Sequence, residues 1–205
     1  MANSNPVRGN RRGEGRREQV LEVAFDAFGA EGFRGATTAA IATKVGLTEP
    51  GLLYHFPSKQ ELLLSVLEER EAEIGKRLHE QTVEAGIFGA LLDQAKRHEA
   101  DPRFIRLLLV LAAESINPDH PAHEWFVARY RRAREQRARE IAHEQGAGRL
   151  PADIDAQVVA RLLLAILDGL ELQHLLDPES GDIAGPLEAF LALLGGGAPA
   201  SESQH

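Results

Sequence analysis

Apolar residues recur every three or four positions through most of the chain, and no stretch alternates strictly between apolar and polar residues over the length of a strand. The pattern predicts an all-α fold of about nine helices. Val20, Leu21, Ala24, Ala27 and Phe28 form the apolar face of a first helix starting near Arg16, and Gly32 is placed to end it. Thr37 can cap a short second helix carrying Ile41, Ala42 and Val45, with Gly46 at its end. Thr48 can cap a third, which must finish by Phe56 because Pro57 disfavours helical geometry in the residue before it. Ser58-Lys59-Gln60-Glu61 matches the capping box, in which Ser and Glu satisfy each other's exposed amides, and it opens a fourth helix reaching about Gln81. Further helices are expected over 87–99, over 102–116 with Asp101 as cap, over 121–145 with Asp119 as cap, from Asp153 or Asp155 to Leu176, and from Ile183 to Leu194.

Val158 to Leu176 is apolar nearly all round, and a helix of that kind must be covered on more than one side. A second copy of the chain is the simplest cover. Arg161, Asp168, Glu171 and His174 interrupt the run and argue against a membrane span, since Arg or Asp at a bilayer centre costs about 2.5 to 3.5 kcal/mol.

With 205 residues, 43% of them apolar, the chain can build one sizeable core or a small domain joined to a larger one. It has no cysteine, which excludes disulfides, thiolate zinc sites and cysteine nucleophiles and fits a reducing compartment. The N-terminal segment lacks the apolar stretch of a secretory signal, so a cytoplasmic protein is expected. A net charge of −8 argues against nucleic acid as a partner until its distribution is considered. Residues 1–59 carry eight Lys or Arg against six acids, a balance of +2 that leaves −10 for the remainder. An acidic body behind a mildly basic head keeps nonspecific DNA affinity low while letting one face approach phosphates. Residues 1–14, rich in Asn, Gly, Pro and Arg, read as a flexible basic arm that either touches DNA or is simply solvated, and 196–205 read as a disordered tail.

Residues 37–59 hold most of the functional information. Two short helices joined at Val45-Gly46-Leu47 would cross steeply around Ile41, Ala42, Val45, Leu47 and Leu52, which is helix-turn-helix geometry. The second of them would present Glu49, Pro50, Gly51, Leu53, Tyr54 and His55 outward, and a helix of about two turns fits a major groove. From Arg16 to about Leu67, a quarter of the chain, the sequence resembles the TetR family of bacterial transcriptional regulators. Val20-Leu21, Ala24, Phe28, Gly32-Phe33, Thr37, Ile41-Ala42, Val45-Gly46-Leu47, Pro50-Gly51, Leu53 to Phe56, Lys59 and Leu62 carry the resemblance in order and spacing. It implies DNA contacts at Thr37, Thr38, Thr48, Glu49, Pro50, Gly51, Leu53, Tyr54, His55 and Lys59. Thr38, Tyr54, His55 and Lys59 fall at phosphate-contacting positions, and Glu49, Pro50 and Gly51 at positions facing base edges. Leu53 departs from the family's usual tyrosine and Ala39 has no polar group, so base readout is expected to be sparse and partly apolar. Glu49 reads either as an acceptor for a cytosine amine or as a partner of its own helix dipole.

The resemblance further implies a homodimer, closed by the last two helices in a four-helix bundle, that binds a palindromic double-stranded operator and releases it on binding a small molecule. Leu163, Leu167, Gly169, Leu187, Phe190 and Leu194 are expected at the dimer interface. Phe104, Leu108, Glu114, Trp125, Phe126, Asp168, Glu171 and His174 are the candidate pocket, mostly apolar with a few polar groups. Trp125 and Phe126 serve equally as plain core, and Asp168 or Glu171 as partners of arginines across the dimer. His120 and His123 lack a third ligand nearby and read as a solvated helix start, and the arginines from Arg129 to Arg139 as a solvated face; neither a metal nor a cofactor is expected. The expected division is 1–14 arm, 15–60 DNA-binding domain, 61–195 ligand-binding and dimerisation domain, and 196–205 tail. An enzyme finds no support, since there is no GxGxxG, P-loop, nucleophile elbow or HExxH. A helical adaptor that binds only protein is the other alternative.

Overall fold

The structure is a computed structural model that describes residues 6–179 and 181–195. Among these residues there are eight helices and no strand: α1 (Pro6–Gly35), α2 (Thr38–Lys44), α3 (Glu49–His55), α4 (Lys59–Ala100), α5 (Arg103–Glu114), α6 (His123–Gly146), α7 (Ala156–Leu176) and α8 (Ala184–Leu194). Both α1 and α4 bend at a glycine, Gly32 (φ 68°, ψ −179°) and Gly86 (φ 71°, ψ 172°). That backbone region is open essentially to glycine alone. The bend at Gly86 separates the two segments that the periodicity had given as separate helices.

Two expected boundaries move. Residues 6–14 continue α1 as helix in place of an irregular arm. Pro6 sits in the first turn, where its missing N–H needs no partner, and the arginines are good helix formers. Residues 1–5 and the expected tail, 196–205, lie outside the described residues. The sixth helix starts at His123, not Pro121, because Asn117 organises the preceding turns: its Oδ1 accepts from Asp119 N (3.1 Å) and its carbonyl from His120 N (3.0 Å).

The chain forms two compact units that do not follow sequence order. The first comprises the chain to Glu73 together with Arg106–Glu124, the second Ile74–Ile105 together with the chain from Trp125 onward. The division expected at residue 60 therefore differs from the one observed. In the first unit Leu21, Phe28, Ile41, Leu52, Phe56 and Leu67 are buried with Leu107 and Leu111 of α5. Burying each such side chain is worth about 1.5 to 3 kcal/mol.

The second unit has two cores. One joins Ile87, Leu91, Ala95 and Ile105 to Leu163 of α7 and to Ile183, Leu187 and Leu191 at α8; the other gathers Ala138, Ile141, Leu150, Val159 and Ala160. Glu99 Oε1 accepts from the amides of Ile183 (2.6 Å) and Ala184 (2.7 Å), and Asp182 Oδ2 accepts from Gly185 N (3.0 Å), so a distant carboxylate and a local one together satisfy the exposed amides at the start of α8. Leu163 and Leu187, expected at a dimer interface, are fully buried within one chain, because they lie on the faces of α7 and α8 that close on the first of these cores. Leu167, Gly169, Phe190 and Leu194 are half-buried. No helix among the described residues is long and apolar enough to cross a membrane.

Candidate nucleic-acid interface and ligand site

The helix-turn-helix is built by local caps. Thr37 Oγ1 accepts from Ala40 N and Thr48 Oγ1 from Gly51 N, each at 3.2 Å, so both short helices start at the expected threonines. Between them Gly46 turns the chain at φ 70°, and Leu47 N donates to Ala42 O at 2.9 Å. Leu52 is the only α3 residue fully buried, so the helix has one inward anchor and leaves Glu49, Pro50 and Tyr54 exposed. Thr48, Glu49 and Pro50 are exposed, Gly51, Leu53 and His55 half-buried, and Tyr54 is 85% exposed with its ring edge-on to His55 at 5.5 Å. Thr38 and Glu49, expected to act separately, are joined: the Thr38 hydroxyl donates to Glu49 Oε1 across the two helices. Ser58 Oγ accepts from Glu61 N at 3.1 Å and opens α4. There Lys59 holds its ammonium 4.6 Å from the centre of the Phe33 ring. Arg16, expected only as the start of the first helix, donates to Val45 O at 2.9 Å and ties α1 to the end of α2.

Phe33 belongs to a partly buried junction in the same unit. Its amide donates to Glu114 Oε2 at 2.8 Å, just past the bend at Gly32, and its ring lies edge-on to His120 at 5.3 Å. Glu114, expected to line a pocket, is thus tied to the end of α1. His120 is buried and not a solvated helix start. Its Nδ1 accepts from the Ser115 hydroxyl (2.8 Å) and from Ala122 N (3.2 Å), which places the ring proton on Nε2. Nε2 is buried without a hydrogen-bond partner and stands 3.6 Å from Glu114 Oε2, in contact but too far to bond. Burial lowers the His120 pKa below the usual histidine range, with Glu114 pulling the other way. His123 Nδ1 lies 2.8 Å from the Ser115 carbonyl and donates to it. These two histidines stitch the α5–α6 turn together.

Of the other proposed pocket residues, Leu108 is buried in the first unit, and Phe104, Trp125, Phe126, Asp168, Glu171 and His174 belong to the second. Here the structure brings together groups that sequence reasoning named singly with two that it missed, His98 and Tyr130. His98 Nδ1 donates to Glu171 Oε1 at 2.7 Å, both residues being buried, and the Phe104 ring lies 6.2 Å from the His98 ring. The Tyr130 hydroxyl donates to Asp168 Oδ2 at 2.9 Å. Burial, reinforced by Asp168 and Glu171, pushes the Tyr130 hydroxyl up to about 12; burial also raises the Asp168 carboxyl, against the lowering effect of the Tyr130 bond. Trp125 packs edge-on against buried Phe126 at 4.9 Å. His174, one turn beyond Glu171 on α7, donates from Nδ1 to the Gly181 carbonyl at 2.7 Å and closes the turn after α7. The arginine series on α6 is exposed at Arg131, Arg132, Arg134 and Arg139, but Arg137 is buried and paired with Glu140 at 2.6 Å, so the expected solvated face holds only in part.

Comparison with known proteins agrees with this architecture. Residues 20–66 match the model for bacterial regulatory proteins of the tetR family, and residues 84–194 the model for the C-terminal part of BetI-type transcriptional repressors. The transcriptional regulator TtgR of Pseudomonas putida is 28% identical over 191 residues, covering 85% of this chain and 87% of that protein. The repressor AcnR of Corynebacterium jeikeium is 22% identical over 155 residues, covering 76% and 79%. A structure of SmeT with triclosan superposes with a TM-score of 0.75 at 20% identity, covering 93% of this chain and 98% of that one. A regulator from Saccharomonospora viridis in complex with choline does so at 0.71 and 23%, covering 87% and 96%. Two adjoining family models, relatives aligned along most of their length and a capped helix-turn-helix lead to one conclusion: the chain belongs to the TetR family of DNA-binding transcriptional regulators, which are not enzymes.

Proposed function

We propose that the protein is a homodimeric, cytoplasmic repressor that holds a palindromic operator and releases it when a small molecule occupies the second unit. The observation that carries this reading is a row of side chains on α7. Val158, Leu162, Ala165, Gly169, Leu172 and Leu176 are spaced by four, three, four, three and four residues, the repeat of a helix-pairing seam. Val158, Leu162, Leu172 and Leu176 are each about half exposed or more in the single chain, and a Cβ at Gly169 would meet nothing within 4 Å. Such a face needs a cover, and a second α7 related by a two-fold axis matches its spacing and its narrow point. The same axis would pair two α3 helices for half-sites about 34 to 36 Å apart. Thr37, Thr38, Thr48, Glu49, Pro50, Gly51, Leu53, Tyr54, His55 and Lys59 then form the DNA surface. The bonded pairs Tyr130–Asp168 and His98–Glu171, the second with the Phe104 ring beside His98, support a ligand site, since they set a few polar groups into the interior of the second unit. Relatives solved with triclosan and with choline add support for a small-molecule effector.

The test is sedimentation of the full chain at micromolar concentration, followed by mobility shifts on DNA flanking its coding region. A dimer and a shift that weakens steeply with salt are expected; a well-folded monomer, or no shift on any flanking fragment, counts against the reading.

A further inference from the structure

The helix that would enter the major groove carries an unusual set of side chains for that task. Residues 49–55 read Glu-Pro-Gly-Leu-Leu-Tyr-His and contain no Arg, Lys, Asn or Gln. Those four are the side chains that recognise guanine or adenine through paired hydrogen bonds. Glu49 is the only carboxylate on α3, it is exposed, and it stands at the helix start that points toward base edges in this docking mode. It is also held in place. The Thr38 hydroxyl, from the first residue of α2, donates to Glu49 Oε1. A hydroxyl has one proton, so while Thr38 serves Glu49 it has none to give a phosphate. A phosphate drawn to Thr38 would also approach the Glu49 carboxylate, a like charge.

From this geometry, and resting on the operator-binding reading above, we infer that Glu49, positioned by Thr38, reads the exocyclic amine of a cytosine in each operator half-site. An ionised carboxylate only accepts hydrogen bonds. In the major groove cytosine offers the N4 amine alone, guanine offers only acceptors, thymine an acceptor and a methyl group, and adenine a donor beside the N7 acceptor. Glu49 Oε2 is therefore attracted by cytosine, repelled by guanine and thymine, and met by opposed contributions at adenine. Thr38 fixes the other oxygen, so the carboxylate does not have to be ordered at the moment of binding. Thr38 is in this scheme a positioning residue, which replaces the phosphate contact that family resemblance alone assigns to it.

The experiment is selection from a random duplex pool by the full-length protein, with thermal melting of every variant as a check on folding. Wild type is expected to select one C·G pair in each half-site by about tenfold over the other pairs. Glu49→Ala should erase that preference and no other. Glu49→Gln should move it toward A·T, because an amide can pair with adenine N6 and N7. Thr38→Val should weaken the preference at the same position, and Thr38→Ser should restore it. A cytosine preference that survives Glu49→Ala overturns the inference. So does a uniform loss of affinity in Thr38→Val with base preference intact, which would make Thr38 a phosphate contact. If wild type selects no sequence at all while melting as a folded protein, the operator-binding reading itself fails, and this inference with it.

Discussion

At the scale of single residues, the two bent helices separate two effects of adding a methyl group. Gly32 and Gly86 share nearly the same backbone angles, but a Cβ at Gly86 would meet open space, whereas one at Gly32 would stand 2.6 Å from Glu114 Oε1. Gly86→Ala should cost about 1 to 3 kcal/mol from backbone strain alone. Gly32→Ala should cost more, because it also displaces the carboxylate that binds Phe33 N, and chemical denaturation of the two variants will rank them. His120 gives a dependence on pH. Its folded pKa lies below the unfolded value near 6.5, so the unfolded chain takes up the proton first. Its contribution to stability is complete above that value and falls as pH is lowered from about 6.5 toward the folded pKa, at no more than about 1.4 kcal/mol per pH unit. Glu114 and Arg34 are the charged groups acting on it. His120→Asn keeps an acceptor for Ser115 and Ala122 but does not titrate, so its melting temperature should fall less between pH 7.5 and 5.5 than that of wild type. None of this could be read from the residues near His120, where prolines and an aspartate suggest an exposed turn. The groups that bury it, Phe33 among them, are distant in sequence.

At the scale of elements, the helix starts were legible and the faces only in part. Thr37, Thr48 and Asp155 cap their helices through bonds two or three residues long, so the sequence contains both partners of each contact. The faces of α7 were harder to assign, because a helix apolar on every side does not say which side meets its own chain. The structure divides it: Val159, Ala160 and Leu163 turn inward, while Val158 and Leu162 turn outward. An interface test should therefore use the outward row. Leu162→Glu combined with Leu176→Glu should yield a folded monomer, with near-native helix content and half the mass in light scattering. Leu163→Glu should instead lose the fold, since it puts a charge into a core with no partner. If the outward pair left the dimer intact, α7 would not be the seam.

At the scale of the whole molecule, the proposed effector and the operator would be linked through free energy rather than through any single contact. If an effector releases the operator by a given factor, the operator must weaken effector binding by the same factor. With a ligand found by thermal-shift screening, its dissociation constant measured with and without operator should differ by the same ratio as the operator's with and without ligand; equal values would exclude the coupling. Lys59→Ala should reduce affinity about equally for all sequences and lower the salt slope by roughly one phosphate.

The discontinuous make-up of the first unit bears on how portable this DNA-binding half is. The matched family models suggest a cut between residues 66 and 84, but residues 106–124 belong to the unit on the N-terminal side of that cut. Leu107 and Leu111 fill its core, and Glu114 and His120 hold the end of α1. A fragment ending near Glu73 would leave that core open, and a chimera joined there would bring α1 against a foreign α5–α6 turn. Grafting this reader onto another sensor requires carrying two separate pieces of the gene, with Glu114 and His120 treated as part of the reader.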